Sequence, residues 1–359
     1  MLRQSLTATL LAATLASCVS NEVAEPVAED IPITYSVLQK SMGTRAVLSG
    51  TEYPKDIPFG SFAYYLPVGK TWRDNKADAK IYIDNNKVWF DAGTPGSSFA
   101  ANSWHSDVVH YWPKSGSLTF FSYSPYDKLH DKISCTPENG LKIDQWTAGM
   151  KPGDADATET ADLMIAKSEN QTANVSSSGT YQAGVPTAFK HILCQIEVRA
   201  KLDDADPDAD YRVNSITLNN IWSTARFSNE RWNNQRNLKN VSHSSGESLN
   251  TDGKTSVKVF PAMIMIPQNR LAVTGTDGRA APSITIDYSY KKQSETSYTS
   301  PEGGVTKTFL EIDGLSQSWS QGKKYILTIA FRTKDAFLEF DTSVSEWNAG
   351  SGVDIIVGD

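Results

Sequence analysis

Residues 189–201 read FKHILCQIEVRAK. From Ile192 onward the apolar side chains fall on every second position, Ile192, Cys194, Ile196, Val198 and Ala200, while Gln195, Glu197 and Arg199 take the places between. Side chains of an extended chain point alternately to opposite faces, so this spacing buries one face and wets the other. It predicts a half-buried β-strand, the strongest such signal in the chain. The same period recurs on both sides of it, and long helical periodicity is scarce, so the fold class is all-β.

Upstream, Ile31, Ile33, Tyr35 and Val37 alternate with Pro32, Thr34 and Ser36 and predict a first strand over residues 31–38. Further strands are predicted at 59–66, 80–84, 87–90 across an Asp84-Asn85-Asn86 turn, 117–123 and 161–166. Downstream they follow at 211–221, 225–228, 255–259, 263–266, 282–290, 306–312, 323–331, 337–340 and 353–357. Many short strands about ten residues apart, joined by turn residues, describe β-sandwiches. The segment 168–186, SENQTANVSSSGTYQAGVP, is rich in Ser, Asn, Gly and Thr and poor in large apolar residues. A domain boundary there divides the chain into two tandem sandwiches, residues 31–175 and 176–359.

The first 17 residues have a different character. A Met-Leu-Arg start, a short apolar core containing Leu6, Leu10, Leu11 and Leu15, and small residues before a break describe a secretory signal. The apolar run is shorter than the ~20 residues a membrane span needs. It ends in Leu15-Ala16-Ser17-Cys18, which reads as a bacterial lipobox in which the Cys18 thiol takes a lipid and becomes the mature N-terminus. Residues 18–30 follow as an acidic tether, with four acids, one Pro and no aromatic residue in VSNEVAEPVAED. On this reading the lipid on Cys18 is the sole link to a membrane, since no later apolar run could cross one.

Charge and composition exclude several classes of function. The net charge is -7 and no basic stripe appears, which argues against nucleic acid as a partner. The other two cysteines, Cys135 and Cys194, set no disulfide framework and read as small buried hydrophobes, although an exported chain could oxidise them. None of the five histidines stands in a zinc pattern. His105 and His110 flank Asp107 in WHSDVVHYWP, where a solvated loop followed by a short strand accounts for them better than a metal. In residues 154–165, Asp154, Asp156, Thr158 and Asp162 are spaced like cation ligands, but Glu159 and Ile165 stand where a calcium loop needs Gly and Glu. The acidic run 203–210 reads as a solvent-facing turn, with a hard cation as the alternative. No phosphate loop or nucleophile elbow occurs. The nine Trp residues fall singly beside strands, a pattern of packing rather than of a sugar platform. No cofactor, metal site or catalytic constellation is expected.

Taken in order, the lipobox, FGSFAYYL, the Trp-Pro pair in HYWPKSGSLTFFSYSP, DLMIAKS, FKHILCQIEVRAK, YRVNSITLNN, WSQGKKYILTIAF and a late Trp347 resemble the fimbrillin family, lipoprotein pilins of Bacteroidales-type bacteria. The resemblance implies two transthyretin-like β-sandwiches and export as an acylated outer-membrane precursor. It also implies cleavage after an Arg by a trypsin-like protease, and assembly with other fimbrillin subunits into a surface fimbria by strand exchange, supporting adhesion. Lys40-Ser41-Met42-Gly43-Thr44-Arg45 reads as an exposed connector, which makes Arg45-Ala46 the candidate bond. Cleavage there would remove the lipid and the first strand, with Ile31, Ile33, Tyr35 and Val37. The implied donor is the C-terminal segment, where Val353, Ile355 and Val357 alternate; an ordinary last strand of the second sandwich is the other reading of those residues. Stalk, tip and anchor roles all remain open at this level. A monomeric surface lipoprotein holding glycan or host protein is the competing function, and a β-sandwich hydrolase ranks last.

Overall fold

The computed structural model describes residues 31–39, 53–96, 99–148, 161–173, 184–202, 208–269, 280–301, 304–312, 318–332 and 337–346. Their regular structure is almost entirely β. The first nine strands are β1 (Thr34–Gln39), β2 (Phe59–Leu66), β3 (Lys80–Asp91), β4 (Ser103–Ser106), β5 (Ser117–Ser124), β6 (Ile133–Thr136), β7 (Gly140–Thr147), β8 (Met164–Gln171) and β9 (Val185–His191). Then come β10 (Cys194–Leu202), β11 (Ala209–Ser228), β12 (Arg231–Ser248), β13 (Val257–Met265), β14 (Gln268–Asn269), β15 (Ser283–Lys292), β16 (Val305–Thr308), β17 (Ser318–Trp319), β18 (Lys323–Arg332) and β19 (Phe337–Glu346).

Seven strands close a barrel in the order β1-β4-β3-β2-β5-β8-β9. Two further sheets, β13-β10-β18-β19 and β16-β15-β11-β7-β6, turn their apolar faces into one core, with Ile196, Val198, Leu327 and Ile329 on one side and Ile216, Leu218, Ile284 and Ile286 on the other. Among the described residues, strand β12 pairs with β11 alone. The β6-β7 hairpin comes between two barrel strands in sequence yet joins the second assembly, with Trp146 opposite Ala225 and Ile143 opposite Phe227. This placement explains why β2 is apolar on both faces. Phe59 and Ala63 point into the barrel, whereas Phe62, Tyr64 and Leu66 belong to the core shared with the hairpin and the second assembly.

The alternation predicted from Cys194 to Ala200 is present on one face, where Cys194, Ile196, Val198 and Ala200 are fully buried, but the other face is not wetted throughout: Glu197 is buried too, paired with Arg199 at 2.6 Å and Lys324 at 3.6 Å. The single strand predicted over 189–201 is instead two. Phe189 and His191 finish barrel strand β9, and β10 starts at Cys194 in a different sheet. Ile192 and Leu193 make the crossing, both buried; Ile192 donates its N–H to Leu163 O at 2.9 Å, and Leu193 O accepts from Gly322 N–H at 2.7 Å. The turn predicted at Asp84-Asn85-Asn86 is a bulge within one continuous strand, where β3 carries one extra residue opposite β2. Asn85 adopts φ 51°, a conformation Asn tolerates, and its side chain is held by Tyr123 Oη–H and by His130 O. Six of the nine Trp residues, 72, 104, 112, 146, 232 and 319, are buried; Trp89 and Trp222 are half-buried, and Trp347 lies outside the described residues.

Candidate functional site

Strand β1 lies between two neighbours of opposite sense. On one side it pairs in parallel with β9, from Tyr35 opposite Val185 to Gln39 opposite Phe189. On the other it pairs antiparallel with β4, Thr34 opposite His105 and Tyr35 opposite Trp104. Just before the strand, Ile33 N–H donates to His110 O at 2.7 Å and Trp112 N–H donates to Ile31 O at 2.9 Å. Pro32, which has no N–H to give, sits at a bridge with Tyr111. The sheet neighbours therefore hand over at Tyr35, the residue paired on both sides.

The period of two places the predicted apolar set on the barrel interior. Ile33 and Tyr35 are buried, while Ile31 and Val37 are half-buried and pack against the same cluster; Ser36 faces outward and is exposed. The interior they enter is mostly aromatic. Tyr35 packs against Phe59 at 5.4 Å and Phe120 at 5.9 Å between ring centroids, near-perpendicular geometries that suit ring quadrupoles. Tyr53 stacks on Phe189 at 4.9 Å and donates or accepts a 2.6 Å hydrogen bond with Ser124 Oγ. Two buried hydroxyls, Ser61 and Ser122, lie 3.3 Å apart in the same interior, and the Tyr35 hydroxyl faces Ser61 without closing a bond of ordinary geometry. Burial raises the Tyr35 and Tyr53 phenols well above their usual range, so both stay neutral.

The backbone clearance is as particular as the side-chain fit. A Cβ on Gly184 would stand 2.5 Å from the Tyr35 carbonyl carbon and 2.8 Å from Ser36 N. Only glycine lets the start of β9 approach the main chain of β1 this closely.

Removal of residues 31–39 would expose buried Ile33 and Tyr35 and half-buried Ile31 and Val37, each worth ~1.5–3 kcal/mol when fully buried. It would also strand ladder groups worth ~1 kcal/mol net apiece. The sum is on the order of 10 kcal/mol, comparable to the whole stability of a domain.

Of the other sequence-predicted positions, Cys18, Arg45, Ala46, Val353, Ile355 and Val357 lie outside the described residues. Cys135 is half-buried, Cys194 is buried, and both thiols are free. His105 is not in a solvated loop: it sits on β4, buried, stacked on Phe99 at 3.8 Å and 3.4 Å from the Asp91 carboxylate. His110 Nε2 lies 2.6 Å from the Asn86 amide, and burial lowers its pKa. Asp162 bonds His191 Nδ1 at 2.8 Å. Asp210 accepts from the Tyr298 hydroxyl, so this member of the acidic run is committed to a phenol. Among the described residues no three His, Cys, Asp or Glu side chains gather as a metal site would require.

Sequence reasoning missed Gly184, Tyr53 and the 110–112 segment as parts of the slot. Each acts through contacts with residues far away in the chain, and none breaks or completes a local period.

Fold and site together define an all-β protein with two packed assemblies, the first a barrel closed by its own strand β1. The chain belongs to the fimbrillin-like family, whose profile matches residues 64–347. Among solved structures, a fimbrial protein from Bacteroides vulgatus is similar at 18% identity with a TM-score of 0.60, covering 88% of this chain and 99% of that one. A cell adhesion candidate from Bacteroides uniformis is similar at 17% identity and a TM-score of 0.47, covering 88% and 99%. At 18% identity the first likeness concerns the fold. No curated protein sequence matches the chain.

Proposed function

We propose that this protein is a structural subunit of a surface fimbria whose barrel exchanges its own first strand for one from a neighbouring subunit. The precursor travels to the outer membrane on a lipid at Cys18. A trypsin-like, Arg-specific protease cuts between Arg45 and Ala46, and residues up to Arg45 leave with the lipid. Strand addition then refills the slot, with main-chain bonds supplying affinity and alternate side chains entering the interior. Val353, Ile355 and Val357 are the segment that would donate in a stalk subunit; as a fixed last strand they would suit a tip subunit. Such contacts are head-to-tail and propagate because the rotation need not close. The subunit is read as two β domains with no catalytic role; the division expected between residues 175 and 176 does not coincide with the strand pairing, in which β9 belongs to the barrel and the β6-β7 hairpin to the second assembly.

The observation that carries this reading is that β1 completes the barrel interior from a position at one end of the described chain, joined to the rest through residues 40–52. A strand so placed can leave after one cut without unthreading any other element.

N-terminal sequencing of the surface form, together with an unboiled denaturing gel, tests the proposal. Expected are a start at Ala46 and a ladder of oligomers. A start at acylated Cys18 with monomers alone would reject it in favour of a monomeric surface lipoprotein that binds glycan or host protein.

A further inference from the structure

We infer that the slot selects its occupant at position 35: it takes a strand with an aromatic side chain there and aliphatic side chains two residues to either side. This inference rests on the strand-exchange reading above and names the kind of strand that reading requires.

Three features meet at Tyr35. It is the position bracketed on both sides, by Trp104 on β4 and by Val185 on β9, so any occupant is fixed there by two main-chain partners. Its ring packs near-perpendicular to those of Phe59 and Phe120, at 86° and 84°. Its hydroxyl faces the buried Ser61–Ser122 pair without bonding it, and Tyr53–Ser124 is a second buried hydroxyl pair in the same interior. An aliphatic residue would forfeit both ring contacts and leave a void over the serines. Phenylalanine would keep the ring contacts and remove a buried hydroxyl that closes no bond.

The same pocket sets register. A one-residue slip turns every side chain to the opposite face. It would bring Thr34 or Ser36 into the ring pocket and turn Ile33 outward. Gly184 restricts the main chain at the same level, because its missing Cβ makes room for the Tyr35–Ser36 backbone whatever side chains the strand carries. The fitting partner is therefore a strand of the pattern aliphatic-x-aromatic-x-aliphatic. The segment VDIIV, residues 353–357, has no aromatic residue at any alternate position. It fits the slot less well than such a strand does, so the favoured donor is a different, aromatic-bearing chain.

The test has two arms. In the first, the full chain treated with an Arg-specific protease is titrated with labelled peptides: IPITYSVLQ, its Tyr35→Phe and Tyr35→Leu versions, and SGVDIIVGD. Binding should fall at least about tenfold from the tyrosine to the leucine peptide, with phenylalanine close to tyrosine and SGVDIIVGD no better than leucine. In the second, thermal melting of the uncut chain should rank wild type and Tyr35→Phe above Tyr35→Leu. Equal binding by the tyrosine and leucine peptides, or equal melting of the two variants, would overturn the selectivity. Failure of every peptide to bind while the melting order holds would overturn strand exchange and partner selection with it, leaving Tyr35 as a register pin for its own strand.

Discussion

Replacement of Gly184 by alanine isolates the backbone clearance around β1 from its side-chain fit. The new Cβ would be 2.5 Å from the Tyr35 carbonyl carbon, whereas ordinary contact begins at 3.4 Å, so β1 must retreat by about 0.9 Å (3.4 - 2.5). Backbone is being pushed, so no rotamer change can absorb the displacement. A ladder bond of ~2.9 Å stretched that far passes 3.5 Å and no longer counts as one. Loss of two or three such bonds at ~1 kcal/mol each, plus partial withdrawal of Tyr35 from its ring pocket, gives about 3–5 kcal/mol. Native-state hydrogen exchange reads this directly. Protection of the amides of residues 36–39 should drop by roughly 10²–10³, at 1.4 kcal/mol per factor of ten, and the denaturation midpoint should fall with it. An alanine variant with unchanged midpoint and unchanged protection in β1 would refute the argument that the slot is shaped to a close-packed strand.

Other substitutions probe the rest of the molecule. Gln268 is fully buried and mimics a strand: its Oε1 accepts from Trp222 N–H at 2.9 Å and its Nε2 donates to Trp222 O and Ile266 O at 2.9 and 2.8 Å. Gln268→Leu should cost about 2–4 kcal/mol in chemical denaturation, and a loss under 0.5 kcal/mol would show that water replaces the side chain. The Asp91 carboxylate accepts from Gly93 N–H, from Thr94 N–H and Oγ1–H, and from His105, and these bonds hold its pKa well below the usual carboxylate range. A depressed native pKa means the stabilisation is complete above about pH 4 and is lost as pH falls toward the native value. Asp91→Asn should therefore flatten the decline of stability between about pH 4 and 2, and an unchanged acid slope would argue that other carboxylates govern it. Burial pushes the Cys135 thiol up to about 12 and the Cys194 thiol higher still. In a Cys18→Ser background neither should react with Ellman's reagent at pH 8 until denaturant is added, so prompt labelling of the native protein would contradict that burial.

The all-β class and the inward set of β1 were legible because both depend on local alternation: Ile33 and Tyr35 point inward for the same reason that Ile196 and Val198 do. The break at Ile192-Leu193 was marked only by a change of phase, from inward Val185, Thr187, Phe189 and His191 on odd positions to Cys194, Ile196 and Val198 on even ones, and the apolar Ile192 and Leu193 bridge the two without interrupting the run. Strand β12 escaped notice for a different reason. RWNNQRNLKNVSHSSGES pairs along one edge only and is mostly exposed, so no apolar rhythm marks it. In the β6-β7 hairpin the apolar residues are few, and their burial comes from β11, some eighty residues further on. The acceptor interior was hidden in the same way: Phe59, Phe120 and Phe189 read as three separate strands until the barrel closes them around Tyr35.

The β6-β7 hairpin has a mechanical consequence. It issues from the barrel, is hydrogen-bonded into the second assembly, and buries Ile143 and Trp146 in the shared core. It therefore acts as a rivet rather than a hinge. Tension applied across the molecule loads the ladder between residues 143–147 and 224–227 in addition to the covalent link at Ile192-Leu193. A subunit fastened in this way should bend little under flow and should melt as a single calorimetric unit.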